Sequence, residues 1–157
     1  MSNIYNLEKL MQISNPMLVA AMGLVKKSDS EANKKIFIDE LKRAILLVQL
    51  YITPPPMIDE NGKPQLGPES KLNIPAFNIQ GKKYFGVYTD LGEIKKINVE
   101  GEPIVMPYGL KQLSLAITQT NGNCDGIIIN PGSNSVIIDN LMLAAIMKHI
   151  SKTENEK

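Results

Sequence analysis

CDGIIINPGSNSVIID, residues 124–139, holds two strands and a sharp turn within sixteen residues. Ile127, Ile128 and Ile129 follow one another with no polar face, the pattern of a strand covered on both sides. Asn130-Pro131-Gly132 then turns the chain, and residues 135–138 read as the returning strand. A strand buried on both faces needs other elements packed against its sheet. The expected class is therefore α+β, a single mixed sheet of five to six strands with helices packed on it.

Upstream, Asn15-Pro16 reads as an N-cap followed by proline at the first helical position, so MLVAAMGLVKK is expected to be a short, largely buried helix. Ser28 with Glu31 fits a capping box for a second, amphipathic helix carrying Ile36, Phe37, Leu41 and Ile45. Residues 46–52 are expected to be a strand, stopped by three successive prolines. Residues 54–70, with five prolines and two glycines, read as a long loop. Residues 72–79 and 84–89 flank Gln80-Gly81 as a hairpin, with Pro75 pushing the first strand toward an edge or bulge. Asp90 with Glu93 caps a short helix, and residues 103–106 form a strand. Leu110, Leu113 and Ile117 mark a helix that Asn121-Gly122 stops, and Asp139 or Asn140 caps a last helix, LMLAAIMKHI. Residues 1–150 are expected to be one domain, with two N-terminal helices within 4–44 and the sheet region at 45–150. Residues 151–157 are expected to be a fraying polar tail.

At 157 residues the chain is long enough for one sizeable core, and a formal charge of +1 gives no net pull toward nucleic acid or anionic lipid. Four lysine pairs are interleaved with acids and lack aromatic company, so a solvated surface is expected and no nucleic-acid track. No apolar run approaches the ~20 residues that cross a bilayer. The first ten residues lack the basic region and apolar run of a signal peptide, which with a single cysteine points to a cytoplasmic compartment. Cys124 and His149 are too few for a structural zinc site. No nucleotide, metalloprotease or hydrolase motif occurs.

AFNIQGKKYFGVYTDLGEIKKI, IVMPYGLKQLSLAI and the 124–139 stretch together resemble the N-terminal domain of the SseB family, the bacterial enhanced serine sensitivity proteins. The resemblance covers roughly residues 34–140. It implies a compact cytoplasmic α/β domain with no catalytic residue to carry over, and the further C-terminal domain of some relatives is expected to be absent.

The expectation is thus a non-enzymatic protein-interaction or regulatory domain, with no catalytic, metal or cofactor-binding residue. Self-association as a homodimer is expected through residues 15–25 or the last helix, since MLVAAMGLV and LMLAAIM offer no polar residue. The candidate ligand or partner contacts are Asn130, Pro131, Gly132, Ser133, Tyr88 and Asp90. The alternative is a small-ligand binder, for an anionic metabolite, or an unrecognised enzyme using a pocket between the 54–70 loop and the 130–135 turn.

Overall fold

The computed structural model describes residues 7–53, 57–61, 64–65, 67–69, 71–97, 103–119 and 124–155. The isoleucine run forms β8 (Gly126–Ile129), every residue of it buried. It lies parallel to β6 (Lys82–Val87) and antiparallel to β9 (Val136–Asp139), while β5 (Ala76–Ile79) extends the same sheet beyond β6. Phe85 pairs with Ile127, Val87 with Ile129, and Ile127 with Ile138, so these side chains share one face.

A second sheet is built on β1 (Ile45–Thr53), which pairs antiparallel with β7 (Ile104–Gly109) along its first six residues. Its last three pair with β4 (Lys71–Asn73). Leu47 and Tyr88 exchange backbone hydrogen bonds of 2.7 and 2.9 Å, a single bridge that stitches β1 to the end of β6. The expected single sheet of five to six strands is therefore corrected to sheets of three, four and two strands among the described residues. Pro75 is the main reason. It has no N–H to continue a ladder, so the strand expected over 72–79 splits into β4 on β1 and β5 on β6. The two-stranded sheet, β2 (Met57–Ile58) with β3 (Pro64–Gln65), lies inside the stretch read as a loop.

Four helices cover one face: α2 (Pro16–Lys27), α3 (Glu31–Arg43), α5 (Leu110–Gln119) and α6 (Asn140–Asn155). Leu18, Met22, Phe37, Leu41, Leu113, Leu143 and Ile146 meet Leu46, Val48, Leu50, Val87, Ile127 and Ile129 in the main core. The opposite face carries a smaller cluster of Leu10, Leu47, Tyr88 and Val105. It is lined by Ile13 and by Leu91, Ile94 and Ile97 around α4 (Leu91–Lys95), with Leu10 supplied by α1 (Leu7–Gln12). Burial of β1 on both faces explains why residues 46–48 are apolar without alternation.

The helix starts differ in detail from expectation. Ser28 closes α2, its N–H bonded to Leu24 O, and Ser30 is the residue that caps α3, accepting from Asn33 N at 3.2 Å. Asn15 does not cap α2 with its side chain. Its Nδ2 instead donates to Ile45 O and Thr89 O, at 2.9 and 2.8 Å, tying the entry of α2 to the strands. Asp90 caps α4 and Asp139 caps α6, as the sequence predicts. The α6 backbone continues to Asn155, through most of the segment expected to fray, and α1 adds a helix ahead of the two expected ones. The Asn121-Gly122 stop and the three prolines at 54–56 lie outside the described residues.

Helix α2 is not largely buried. Leu18, Ala21 and Met22 are in the core, but Met17, Val19 and Leu24 face outward. On α6, Leu143 and Ile146 are buried while Leu141 is 85% exposed. Each helix has one buried face and one apolar face left open.

Candidate functional site

Parallel strands β6 and β8 end together, and the loops that follow them bring the six candidate contacts to one place. Asn130 adopts φ 54°, the left-handed conformation that Asn tolerates better than most residues. It is buried, and its N–H bonds Val87 O at 2.9 Å. Its side-chain Oδ1 accepts from Thr89 N and its Nδ2 donates to Thr89 Oγ1, both at 3.0 Å. Thr89 Oγ1 in turn donates to Asp90 Oδ2, leaving Asp90 Oδ1 to cap α4. Ser133 Oγ donates to Glu93 Oε1 at 2.6 Å, and Lys96 Nζ holds Glu93 Oε2 at 2.6 Å. Burial works to raise the Glu93 carboxyl, but the hydrogen bonds from Lys96 and Ser133, with the Lys96 charge, outweigh it and hold it below the usual carboxylate range.

The carboxyl ends of parallel strands are where open α/β sheets bind ligands. Here that end is closed on itself. Ser133 N bonds Asn130 O and Ser135 N bonds Ser133 O, so the turn directs these donors inward. Gly132 approaches so closely that a Cβ there would lie 3.0 Å from both Ile97 Cδ1 and Lys96 Cβ. The Glu93 carboxylate stands beside the Ser133 hydroxyl, where it would repel an anion.

Tyr88 lies on the small cluster beneath this latch. Its hydroxyl donates to Gln49 Oε1 at 3.3 Å, above Gly86, whose missing side chain leaves room for it and for the Phe77 ring. Burial, with repulsion from Tyr51 second, pushes the Tyr88 phenol up to about 12. Among the described residues no buried side-chain N or O atom lacks a partner. The 54–70 segment is rooted at Thr53, six residues along β1 from the Leu47–Tyr88 bridge, or roughly 20 Å at strand rise. The register therefore places the roots of that segment and of the 130–135 turn toward opposite ends of β1.

A different surface is open. Between α3 and α6 runs a groove of about 540 Å³ with an apolar floor of Ile38, Met142, Ala145 and Ile146. Glu31, Lys34, Lys35, Asp39 and Lys42 form its charged wall, with Lys34 paired to Glu31 at 3.9 Å and Lys42 to Asp39 at 3.6 Å. Both are i, i+3 pairs on one helix, the Lys34–Glu31 pair exposed and long and the Lys42–Asp39 pair half-buried, and the exposed pair is of small energetic value. The run LMLAAIM signalled the α6 side of the groove. The α3 side was hidden, because Ile38 follows Phe37 and looks like one more core position.

Cys124 is half-buried, and burial pushes its thiol up, with Asp125 adding to the rise against a backbone hydrogen bond at Gly126 that opposes it. That is the reverse of nucleophile activation. The His149 side chain lies outside the described residues. Among those described, no group of His, Cys, Asp and Glu could hold a metal ion, and no helix is long and apolar enough to cross a membrane.

A profile of the SseB protein N-terminal domain matches residues 18–145. The chain belongs to the SseB N-terminal domain family. The match runs from α2 into the start of α6 and so includes the α3 wall of the groove, Met142 and Ala145 on its α6 side, and the latch at the ends of β6 and β8. No curated protein and no solved structure gave a match.

Proposed function

We propose that this SseB-family domain is a non-enzymatic protein-interaction module whose working surface is the α3/α6 groove. The observation that carries the reading is an open apolar floor bounded by charged residues, which suits the apolar face of one helix. The polar residues at the ends of β6 and β8 support it from the other side, since they are engaged with one another and serve to hold α4 and the 130–135 turn in place. On this reading Asn130, Ser133, Tyr88 and Asp90 are architectural.

The test is selection of displayed helical peptides against the folded chain, with Ile38→Glu as the counter-screen. Peptides with apolar residues at i, i+3, i+4 and i+7 are expected to emerge and to lose roughly tenfold or more in affinity on the variant, or about 1.4 kcal/mol. Ligands that bind both proteins equally would overturn the assignment. So would a metabolite that raises the melting temperature and loses its effect in Ser133→Ala.

A further inference from the structure

The helical layer is positively charged although the whole chain has a formal charge of only +1. Helices α2, α3, α5 and α6 hold nine of the seventeen basic residues and four of the sixteen acidic ones, so the rest of the chain carries the acidic excess. Around the α3/α6 groove the imbalance is local. The α6 side has no Asp or Glu from Asn140 to Thr153 and carries an exposed Lys148 one turn beyond Ala145. On the α3 side three lysines face two acids, and each acid already stands beside a lysine of its own helix. Lys35, exposed on that wall, makes no ion pair. Asp139, at the start of α6, accepts the Met142 N–H as the helix cap. The groove thus joins an apolar floor to an unmatched cation.

We propose that the groove takes an acidic amphipathic helix of a partner protein, with apolar anchors on Ile38, Met142 and Ala145 and a carboxylate beside Lys35. This rests on the groove being the working surface, as read above. An apolar floor accepts the anchors of any amphipathic helix, and the rim charges choose among them. A carboxylate held against Lys35 is attracted and a lysine repelled, while the positive field of the layer speeds the encounter with acidic segments. A basic helix would meet Lys34, Lys35 and Lys42 with both acids of the wall already paired. A second copy docked through α2 or α6 does not supply the matching charge, since Pro16–Lys27 and Asn140–Thr153 hold no acid and would set lysine against lysine. An anionic bilayer shares the charge preference but presents a broad surface, whereas this apolar floor lies between two helices.

Fluorescence anisotropy of the full chain with three synthetic helical peptides tests it. All three share leucines at i, i+3, i+4 and i+7 and differ only in their polar flank, which is glutamate, glutamine or lysine. At low ionic strength the glutamate peptide should bind roughly tenfold tighter than the lysine peptide, the glutamine peptide should fall between, and high salt should narrow the spread. Lys35→Gln should remove most of this preference and Lys35→Glu should reverse it. Because Lys35 is exposed, both variants should fold as the wild type does by circular dichroism. Ile38→Glu should weaken all three peptides together. Equal affinity of the three peptides, tighter binding of the lysine peptide, or a preference indifferent to Lys35→Glu would overturn the proposal, and if that binding still depends on Ile38 the interaction reading stands without it. Failure of all three peptides, with the chain instead sedimenting with phosphatidylglycerol vesicles or forming a dimer that Ile38→Glu disrupts, would overturn it as well.

Discussion

Asn130 combines a left-handed backbone, nine-tenths burial and two side-chain hydrogen bonds to Thr89, so its cost of replacement comes from two sources. Asn130→Ala loses both bonds and puts a residue that tolerates the left-handed region less well than Asn at φ 54°, an expected loss of about 2–3 kcal/mol in urea unfolding at constant slope. Asn130→Gly, which loses the same two bonds but is free of the backbone penalty, should lose less. Tyr88 gives a pH signature. Below pH 10 its phenol is neutral in both states, while from 10 to about 12 the unfolded chain releases the proton and the folded chain keeps it. Stability should therefore fall across that window. Tyr88→Phe should start lower, having lost the Gln49 contact, and fall less steeply, and thermal melts across the window would show it. The turn signal at Asn130 was legible in the sequence, but the chemistry assigned to it was not. A short polar loop looks the same whether its donors face a ligand or each other, and only the distant partners Thr89 and Glu93 decide which.

At the scale of elements, caps and turns show where local rules reach and where they stop. The buried isoleucine strand, the Asp90 cap and the Asp139 cap follow from their neighbours in sequence. The division at Pro75 does not, because which strand each half joins depends on β1, some twenty residues away in sequence. The same holds for Asn15, which forgoes its cap to bond Ile45 and Thr89 across the fold. The β5–β6 hairpin turns on Gln80 and Gly81, with φ of 53° and 81°. Both central residues thus have the positive φ of a type I′ turn, which favours Asn at the first position. Gln80→Asn should stabilise the protein by about 0.5–1 kcal/mol, read as a higher urea midpoint. Ser30→Ala should cost about 1 kcal/mol by removing the bond to Asn33 N.

Across the whole molecule the two faces of the sheet have different roles. One carries a small cluster closed by α1 and α4, and the other a helical layer whose outer surface remains apolar on α2 and along the α3/α6 groove. The excess apolar content of α2 and α6 was visible in the sequence. Its exposure was not, since composition alone does not tell a helix wrapped by its own domain from one that leaves a face open. No thiol chemistry is part of this account, so Cys124→Ser with His149→Ala should leave partner binding unchanged at equal stability. The most direct measurement of where binding occurs is backbone amide shift mapping of the folded chain with the tightest selected helical peptide. The largest shifts are expected at Lys35, Ile38, Met142 and Ala145. Shifts centred instead on Tyr88, Asp90 and Asn130 to Ser133, with the groove silent, would contradict that expectation.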